Sequence, residues 1–400
     1  MRKFLGRITL TNASITMILV ACIFVLAGCN GDSGTGIEFT STIELAIESA
    51  ESEVEFVAGM TIALVDAENN FTWTSGFGYA DSINDIPVNA DTMFMIGSIS
   101  KPFTAIAVMQ LVEEGLIDLD EPIVTYLPQF SMMPHPVYGG SYQNITTRML
   151  LNHTSGLPRD YWDGRVSTFG EHNDSFLNDY IAYISELTMI AEEGTSVSYS
   201  NIGYTILGIL VATVAGYDDV FEGFMNYTNE NIFTPASVNR STFVMNDELY
   251  PYVARSYLNR AWQNPEIQFL NTLSDGSMFS SANDMAIFMH IILNGINSQD
   301  EQLLTQDSFM QMIDFDSNQS YDGATFGLGF YQVQYQDIYF TGHIGSWSTY
   351  RSIMVFDLES NIGVFISSNG GGRNDIVITT AIEILQMAVY EKTGELNLEQ

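Results

Sequence analysis

Strand-like alternation stands at both ends of this chain with a long helical stretch between, and that order limits the folds open to it. Near the start, Met60, Ile62 and Leu64 alternate with smaller partners, Glu68-Asn69-Asn70 supplies a turn, and Phe71, Trp73 and Phe77 carry the alternation back. Strand pattern returns late, at Phe326–Phe330, Ile338–Thr341, Arg351–Phe356 and Ile362–Ser367, the last two joined by the turn Asp357–Asn361. Ile43, Ile47, Ala50 and Val54 recur at helical spacing with glutamates between them. A final helix from about Asn374 to Tyr390 carries Ile376, Ile382, Leu385 and Val389. From about 103 to 240 the pattern is mainly helical, broken by long loops around 134–140 and 159–173. Elements in this order predict an α/β sandwich interrupted by a helical lobe, without internal repeats. The α/β lobe would take about 39–102 and 241–395, and the helical lobe about 103–240.

The first 28 residues stand apart. Arg2, Lys3 and Arg7 precede an almost wholly apolar run from Ile15 to Leu26, with no acidic residue, which reads as a secretory leader and is short for a membrane span. It ends in Leu26-Ala27-Gly28-Cys29, which resembles the lipobox of bacterial lipoproteins. Cys29 is then the expected site of lipidation, and the chain an exported protein anchored by lipid to the cell envelope. An ordinary signal peptide with an incidental cysteine is the plainer alternative. Residues 29–38 read as a flexible tether, rich in Gly and Ser around Gly31-Asp32-Ser33-Gly34. Since Cys22 leaves with the leader, the mature chain has no disulfide and must be held by its core.

Ten basic residues then face 48 acidic ones, a formal charge of −38. Such a surface repels nucleic acid and anionic membrane. The acids are scattered, from Glu44 to Asp357, which favours solvation over a cationic partner. With 46% hydrophobic and 12% aromatic residues the chain has ample material for a core, so the charge does not signal disorder.

Beyond the leader only two lysines remain, Lys101 and Lys392, and Lys101 lies in the apolar stretch Phe94-Met95-Ile96-Gly97-Ser98-Ile99-Ser100-Lys101-Pro102-Phe103. From there to Val112 no other charge appears, as in a helix buried inside a domain, and Glu113-Glu114-Gly115 marks its stop. Residues three apart share a helix face, so the Ser98 hydroxyl and the Lys101 amine can meet. An amine in apolar surroundings can take the proton of a serine, which is a poor nucleophile until an adjacent base activates it. A lysine snorkelling from a helix start explains the same spacing without chemistry.

Two further segments invite a double reading. Tyr199-Ser200-Asn201 precedes the apolar helix Ile202–Val211; it offers a tyrosine hydroxyl and an amide for chemistry, or only packing and a helix cap. In Thr341-Gly342-His343-Ile344-Gly345-Ser346 a strand meets two glycines, which mark either a bulge or a ligand lying close to the backbone.

Taken in order, Ser98-x-x-Lys101, Tyr199-x-Asn201 and His343-x-Gly345 resemble the motifs of the serine β-lactamase and penicillin-binding D,D-peptidase superfamily, in its class C and D,D-carboxypeptidase-like branch. Leu150-Leu151-Asn152-His153-Thr154-Ser155-Gly156-Leu157-Pro158, Tyr199-Ser200-Asn201-Ile202-Gly203-Tyr204 and Phe326-Gly327-Leu328-Gly329-Phe330 are similar to that branch as well, so the resemblance covers roughly residues 40–390. It implies a β-lactamase/transpeptidase-like fold, an antiparallel sheet flanked by helices with an inserted all-helical lobe and Ser98 in the cleft. By resemblance Ser98 forms an acyl-enzyme, Lys101 and Tyr199 transfer protons, and Asn201 orients substrate and lysine. The backbone N–H groups of Ser98 and Ser346 would form the oxyanion hole, and His343 and Gly345 the substrate-binding strand. No cofactor or metal is called for: the five histidines show no paired ligand spacing.

One departure bears on substrate. The branch often has Lys-Thr-Gly at the third motif, where cation and hydroxyl receive a carboxylate; here a titratable His343 stands for the cation and Ile344 has no hydroxyl. A site without that hydrogen-bond partner discriminates poorly in favour of a carboxylate. The expected activity is therefore that of an esterase, amidase or D,D-peptidase acting on small-molecule or peptide esters and amides, with a true class C-type β-lactamase as the alternative. A non-catalytic surface lipoprotein that keeps the fold for binding is the reading from another class.

Overall fold

The computed structural model describes residues 38–394, apart from 163, 260–261, 264–265, 300, 316–319, 322, 336–337 and 372–373. The expected leader, Cys29 and all but the last residue of the tether lie outside the described residues. A nine-stranded antiparallel sheet forms the centre: β1 (Gly59–Asp66), β2 (Phe71–Asp81), β3 (Ile86–Pro87), β4 (Ser320–Tyr321), β5 (Ala324–Phe326), β6 (Tyr331–Tyr335), β7 (Ile338–Trp347), β8 (Tyr350–Asp357) and β9 (Ile362–Ser368). They lie in the order β4-β5-β6-β7-β8-β9-β1-β2-β3, so the two ends of the chain join where β9 pairs with β1. The longer helices are α1 (Thr40–Val57), α2 (Ser100–Glu113), α3 (Asn201–Val214), α4 (Val220–Thr228), α5 (Ala282–Ile296) and α6 (Asn374–Thr393).

The period-2 pattern of β1 has a direct consequence. Met60, Ile62 and Leu64 face one side with Ile353, Val355, Val364 and Ile366, where α1 and α6 cover them. Ala63 and Val65 face the other side, in the core that includes Phe103, Ile106, Met285 and Phe288 of α2 and α5. Both faces of β1 are thus dry, and every one of its residues is buried. Burial of this kind drives folding at roughly 25 cal/mol per Å² of apolar surface.

Lys392, near the end of α6, reaches Asp66 Oδ1 at 2.7 Å, Glu68 Oε2 at 2.8 Å and the Ser360 carbonyl at 2.7 Å. Its side chain is only 8% exposed and that of Asp66 not at all, so each depends on the other. Loss of one partner of such a pair costs roughly 3–5 kcal/mol, because the remaining charge stays buried. The lysine therefore clamps the last helix to the β1–β2 turn and the β8–β9 turn.

One reading of the sequence is corrected. Phe326–Phe330 is not a strand: β5 ends at Phe326, Gly327 N–H bonds back to the Phe330 carbonyl at 2.9 Å, and Gly329 has a φ of +90°. Its alternation of large and small residues belongs to a reversal that packs on α2, where a Cβ on Gly329 would come within 2.6 Å of that of Ala105. The stretch between 240 and Phe326, to which the sequence pattern assigns no element, holds a helix, α5, begun by Ser281, whose side chain accepts the Asp284 N–H.

Candidate active site

Ser98 sits in a single 3-10 turn, Gly97–Ile99, that leads straight into α2. The turn is held from several sides. Ser100 Oγ donates to the Gly97 carbonyl at 2.7 Å and accepts the Met278 N–H at 3.0 Å, while Thr104 Oγ1 donates to the Ser274 carbonyl at 2.7 Å. Ser352 Oγ of β8 donates to the Ile96 carbonyl at 2.7 Å. Gly97 has a φ of +55°, the left-handed region that favours glycine, and a Cβ there would lie 2.6 Å from the Ser346 amide nitrogen. Gly345 is equally constrained: a Cβ would overlap the Ile96 carbonyl and the Ser352 hydroxyl. The two glycines let β7 lie against the serine turn, which brings the Ser346 backbone beside Ser98. Gly345 thus acts as a spacer for the backbone.

One turn below Ser98, Lys101 is fully buried. Its Nζ meets three oxygens: the Asp275 carbonyl at 2.5 Å, Asn201 Oδ1 at 2.7 Å and Ser98 Oγ at 3.3 Å. Two of these can only accept, so they take two N–H bonds of the amine. The third tetrahedral direction faces the serine hydroxyl. A neutral amine would aim its lone pair there, the placement that proton abstraction from serine requires. Tyr199 lies alongside, its ring centroid 5.0 Å from Lys101 Nζ, and Arg159 stacks on the same ring at 4.9 Å.

Asn201 is not the helix cap. That role falls to Ser200, whose Oγ accepts the Gly203 N–H at 3.0 Å and donates to the Pro158 carbonyl at 2.7 Å. The Asn201 amide is left for Lys101 on one end and for Asp160 Oδ1, at 2.6 Å, on the other. His153 holds this corner in place: its Nδ1 accepts the Ser200 N–H at 3.1 Å, and its ring packs 4.3 Å from that of Tyr199. Burial, and then the Lys101 charge, keeps it well below the usual histidine range, hence neutral.

His343 departs from expectation. Its ring lies 4.9 Å from Tyr331 and 6.3 Å from Tyr199, it is 4% exposed, and Nδ1 pairs with the Ile344 carbonyl at 2.8 Å. Burial first, and the Lys101 charge second, lower its pKa to about 3. At neutral pH it is no substitute for a substrate-binding cation, because both causes oppose its protonation. Ile344 packs with Phe326, Tyr331 and Val197 in a small apolar cluster that Tyr199 joins. Neither position therefore carries a charge, and neither is among the residues that line the cleft holding Ser98.

The folded pKa of His343 lies below its unfolded value of about 6.5, so the unfolded chain binds the extra proton between about pH 6.5 and 3. Stability attributable to this residue is complete above pH 6.5 and falls as pH drops, by about 2 kcal/mol at pH 5. The midpoint of urea unfolding should drop less between pH 7 and pH 5 in His343→Gln than in the wild type. An equal drop in both would show that His343 is not neutral in the folded protein.

Ser98, Asn201 and Ser346 line one cleft, whose walls are Tyr161, Trp162, Tyr180, Leu270 and Trp347. The indoles of Trp162 and Trp347 lie nearly parallel, 6.3 Å apart and inclined by 5°. Asp160 and Asp275 also line the cleft, and sequence reading had singled out neither. Asp275 reaches Lys101 through its backbone carbonyl, and burial raises the pKa of its carboxyl. Among the described residues no group of three or more His, Cys, Asp or Glu could hold a metal ion.

A sequence model of the family described as Beta-lactamase matches residues 50–388. The chain belongs to the beta-lactamase family, within the serine β-lactamase and penicillin-binding protein superfamily. It is 30% identical over 272 residues to the putative penicillin-binding protein PbpX of Bacillus subtilis (strain 168), covering 67% of this chain and 61% of that protein. With penicillin-binding protein 4* of the same organism it shares 27% identity, over 73% and 64% of the two chains. The chain thus spans somewhat under two thirds of the length of these relatives. The octameric penicillin-binding protein homologue from Pyrococcus abyssi superposes with a TM-score of 0.70 at 24% identity, covering 89% of this chain and 79% of that one. The D-amino acid amidase from Ochrobactrum anthropi SV3 complexed with L-phenylalanine gives 0.70 at 23%, over 88% and 97%. At these identities the likeness is one of fold, an antiparallel sheet with flanking helices.

Proposed function

We propose that this protein is a serine hydrolase that forms an acyl-enzyme on Ser98 and acts on esters or amides whose acyl part needs no carboxylate receptor. The observation that carries the reading is the buried Lys101 amine, fixed by two acceptors and facing Ser98 Oγ. In the first step the Ser98 oxygen bonds to the substrate carbonyl carbon, and its proton passes to Lys101 or through Tyr199. The charge on the carbonyl oxygen is met by the N–H groups of Ser98 and Ser346, donors fixed before the reaction begins. The same proton goes to the leaving alcohol or amine as the tetrahedral species collapses. Water then attacks the acyl-enzyme carbonyl and gives a proton to the lysine–tyrosine pair; the bond to Ser98 Oγ breaks, that proton passes to the serine oxygen, and the acid is released.

The names of the relatives, penicillin-binding proteins and a D-amino acid amidase among them, support acyl transfer to serine. The neutral His343 and Ile344 favour an esterase or amidase over a β-lactamase. Intact-protein mass spectrometry of residues 31–400 with benzylpenicillin, beside Ser98→Ala, tests the ranking. No adduct in a protein that still cleaves p-nitrophenyl acetate is the expected result. A penicilloyl adduct on Ser98 would place the protein among penicillin-recognising peptidases, and rapid turnover of the drug would make it a β-lactamase. Failure of both reactions would leave the binding reading.

The N-terminal sequence supports an exported, lipid-anchored setting, with Cys29 as the modified residue. Expressed in a bacterial host, the full chain should partition into detergent with the membrane fraction, and Cys29→Ala should not; equal partitioning of the two would sink that placement.

A further inference from the structure

We infer that Asp160 is a positioning residue that orders the active-site amide, fixing through Asn201 the direction of the Lys101 amine. The inference rests on the hydrolase reading of the site. An asparagine amide is nearly symmetrical in shape but opposite in chemistry at its two ends, so its partners decide which way it faces. Here the Asp160 carboxylate, which only accepts, lies 2.6 Å from Nδ2, and this obliges Oδ1 to face Lys101 Nζ, 2.7 Å away. Turned over, the amide would present its NH2 to the lysine, donor against donor, and the amine would lose one of the two acceptors that aim it at Ser98.

Asp160 is well placed to act in this way. It lies on the loop after Pro158, and the backbone of that loop is fastened to the Tyr199 corner: the Arg159 carbonyl accepts the Asn201 N–H at 2.7 Å, and the Pro158 carbonyl accepts from Ser200. Its other oxygen lies 3.3 Å from Arg159 Nε, and its side chain is 19% exposed. Carboxylate, amide, amine and hydroxyl therefore form one line of hydrogen bonds that ends on the nucleophile. Nothing in the sequence spacing announces it, because Asp160 lies 41 positions from Asn201.

The test uses p-nitrophenyl acetate hydrolysis by residues 31–400. Asp160→Ala should lower kcat by about 10- to 100-fold, the scale of a misplaced catalytic group, with KM changed less than about threefold. Asp160→Asn keeps a carbonyl able to accept from Asn201 Nδ2 and should recover most of the loss. In an Asn201→Ala background, Asp160→Ala should add less than about a twofold effect, since the residue it acts through is gone. The inference is overturned if Asp160→Ala stays within about threefold of the wild type while Ser98→Ala is inactive. It is equally overturned if the Asp160 and Asn201 effects multiply, which would mean an independent or merely structural role. If the wild type shows no Ser98-dependent turnover, the hydrolase reading fails by itself. The rate at which a fluorophosphonate labels Ser98 then decides the matter: slower in Asp160→Ala and restored in Asp160→Asn supports the inference, and equal rates refute it.

Discussion

Alanine in place of Ser98 is expected to lower ester turnover by at least about a thousandfold, with the thermal midpoint unchanged within a degree or two. The activity loss is large because Lys101 and the Ser346 amide would have no nucleophile to serve. The stability change is small because, among the described residues, the Ser98 hydroxyl has one hydrogen-bond partner, Lys101 Nζ at 3.3 Å, and the turn is held instead by Ser100, Thr104 and Ser352. The measurement is the initial rate on p-nitrophenyl acetate, read beside a melting curve of each protein. Retention of more than about a tenth of the rate would mean that the ester is cleaved elsewhere, and would return Ser98 and Lys101 to the role of a buried helix start.

A second large effect is expected at a residue that supplies no reacting atom. Gly345→Ala places a methyl group against the Ile96 carbonyl and the Ser352 hydroxyl, so β7 must retreat from the serine turn. Retreat carries the Ser346 N–H away from the position where charge develops on the substrate oxygen. Loss of one such donor typically costs about 10²- to 10³-fold in kcat. Overpacking should also destabilise the fold by roughly 1–3 kcal/mol, which leaves the variant folded enough to assay. Gly164→Ala, where an added Cβ meets nothing within 4 Å, is the matched control. Should Gly345→Ala keep a wild-type rate at 25 °C, Ser346 would have no place in the oxyanion hole.

Much of the fold could be read from local pattern, and the reasons are physical. β1 is covered on both faces yet still alternates larger and smaller side chains, because each face meets a different layer of helices. The reading failed at Phe326–Phe330, where period-2 alternation arises from glycines needed for a reversal against α2 and not from a pleat. It also passed over α5, although Ser281 followed by Asp284 is a helix-start signal and Met285, Phe288, Met289 and Ile292 recur on one face. Within the site, Ser98 and Lys101 could be found because one helical turn joins them. Asp275 could not, since it contributes a backbone carbonyl, which leaves no mark on the choice of side chain. The protonation of His343 was also beyond the sequence, because burial among Tyr199, Tyr331 and the lysine decides it.

The scarcity of lysine has a practical corollary. Of the two lysine amines beyond residue 28, one is fully buried one turn below Ser98, and the other is clamped between Asp66 and Glu68. While folded, the described protein therefore shows almost no lysine to acetylating, crosslinking or immobilising reagents, and trypsin would have to work on arginines alone. Amine labelling becomes a clock for opening of the structure: Lys392 reports release of the last helix, and Lys101 reports loss of the packing around Ser98.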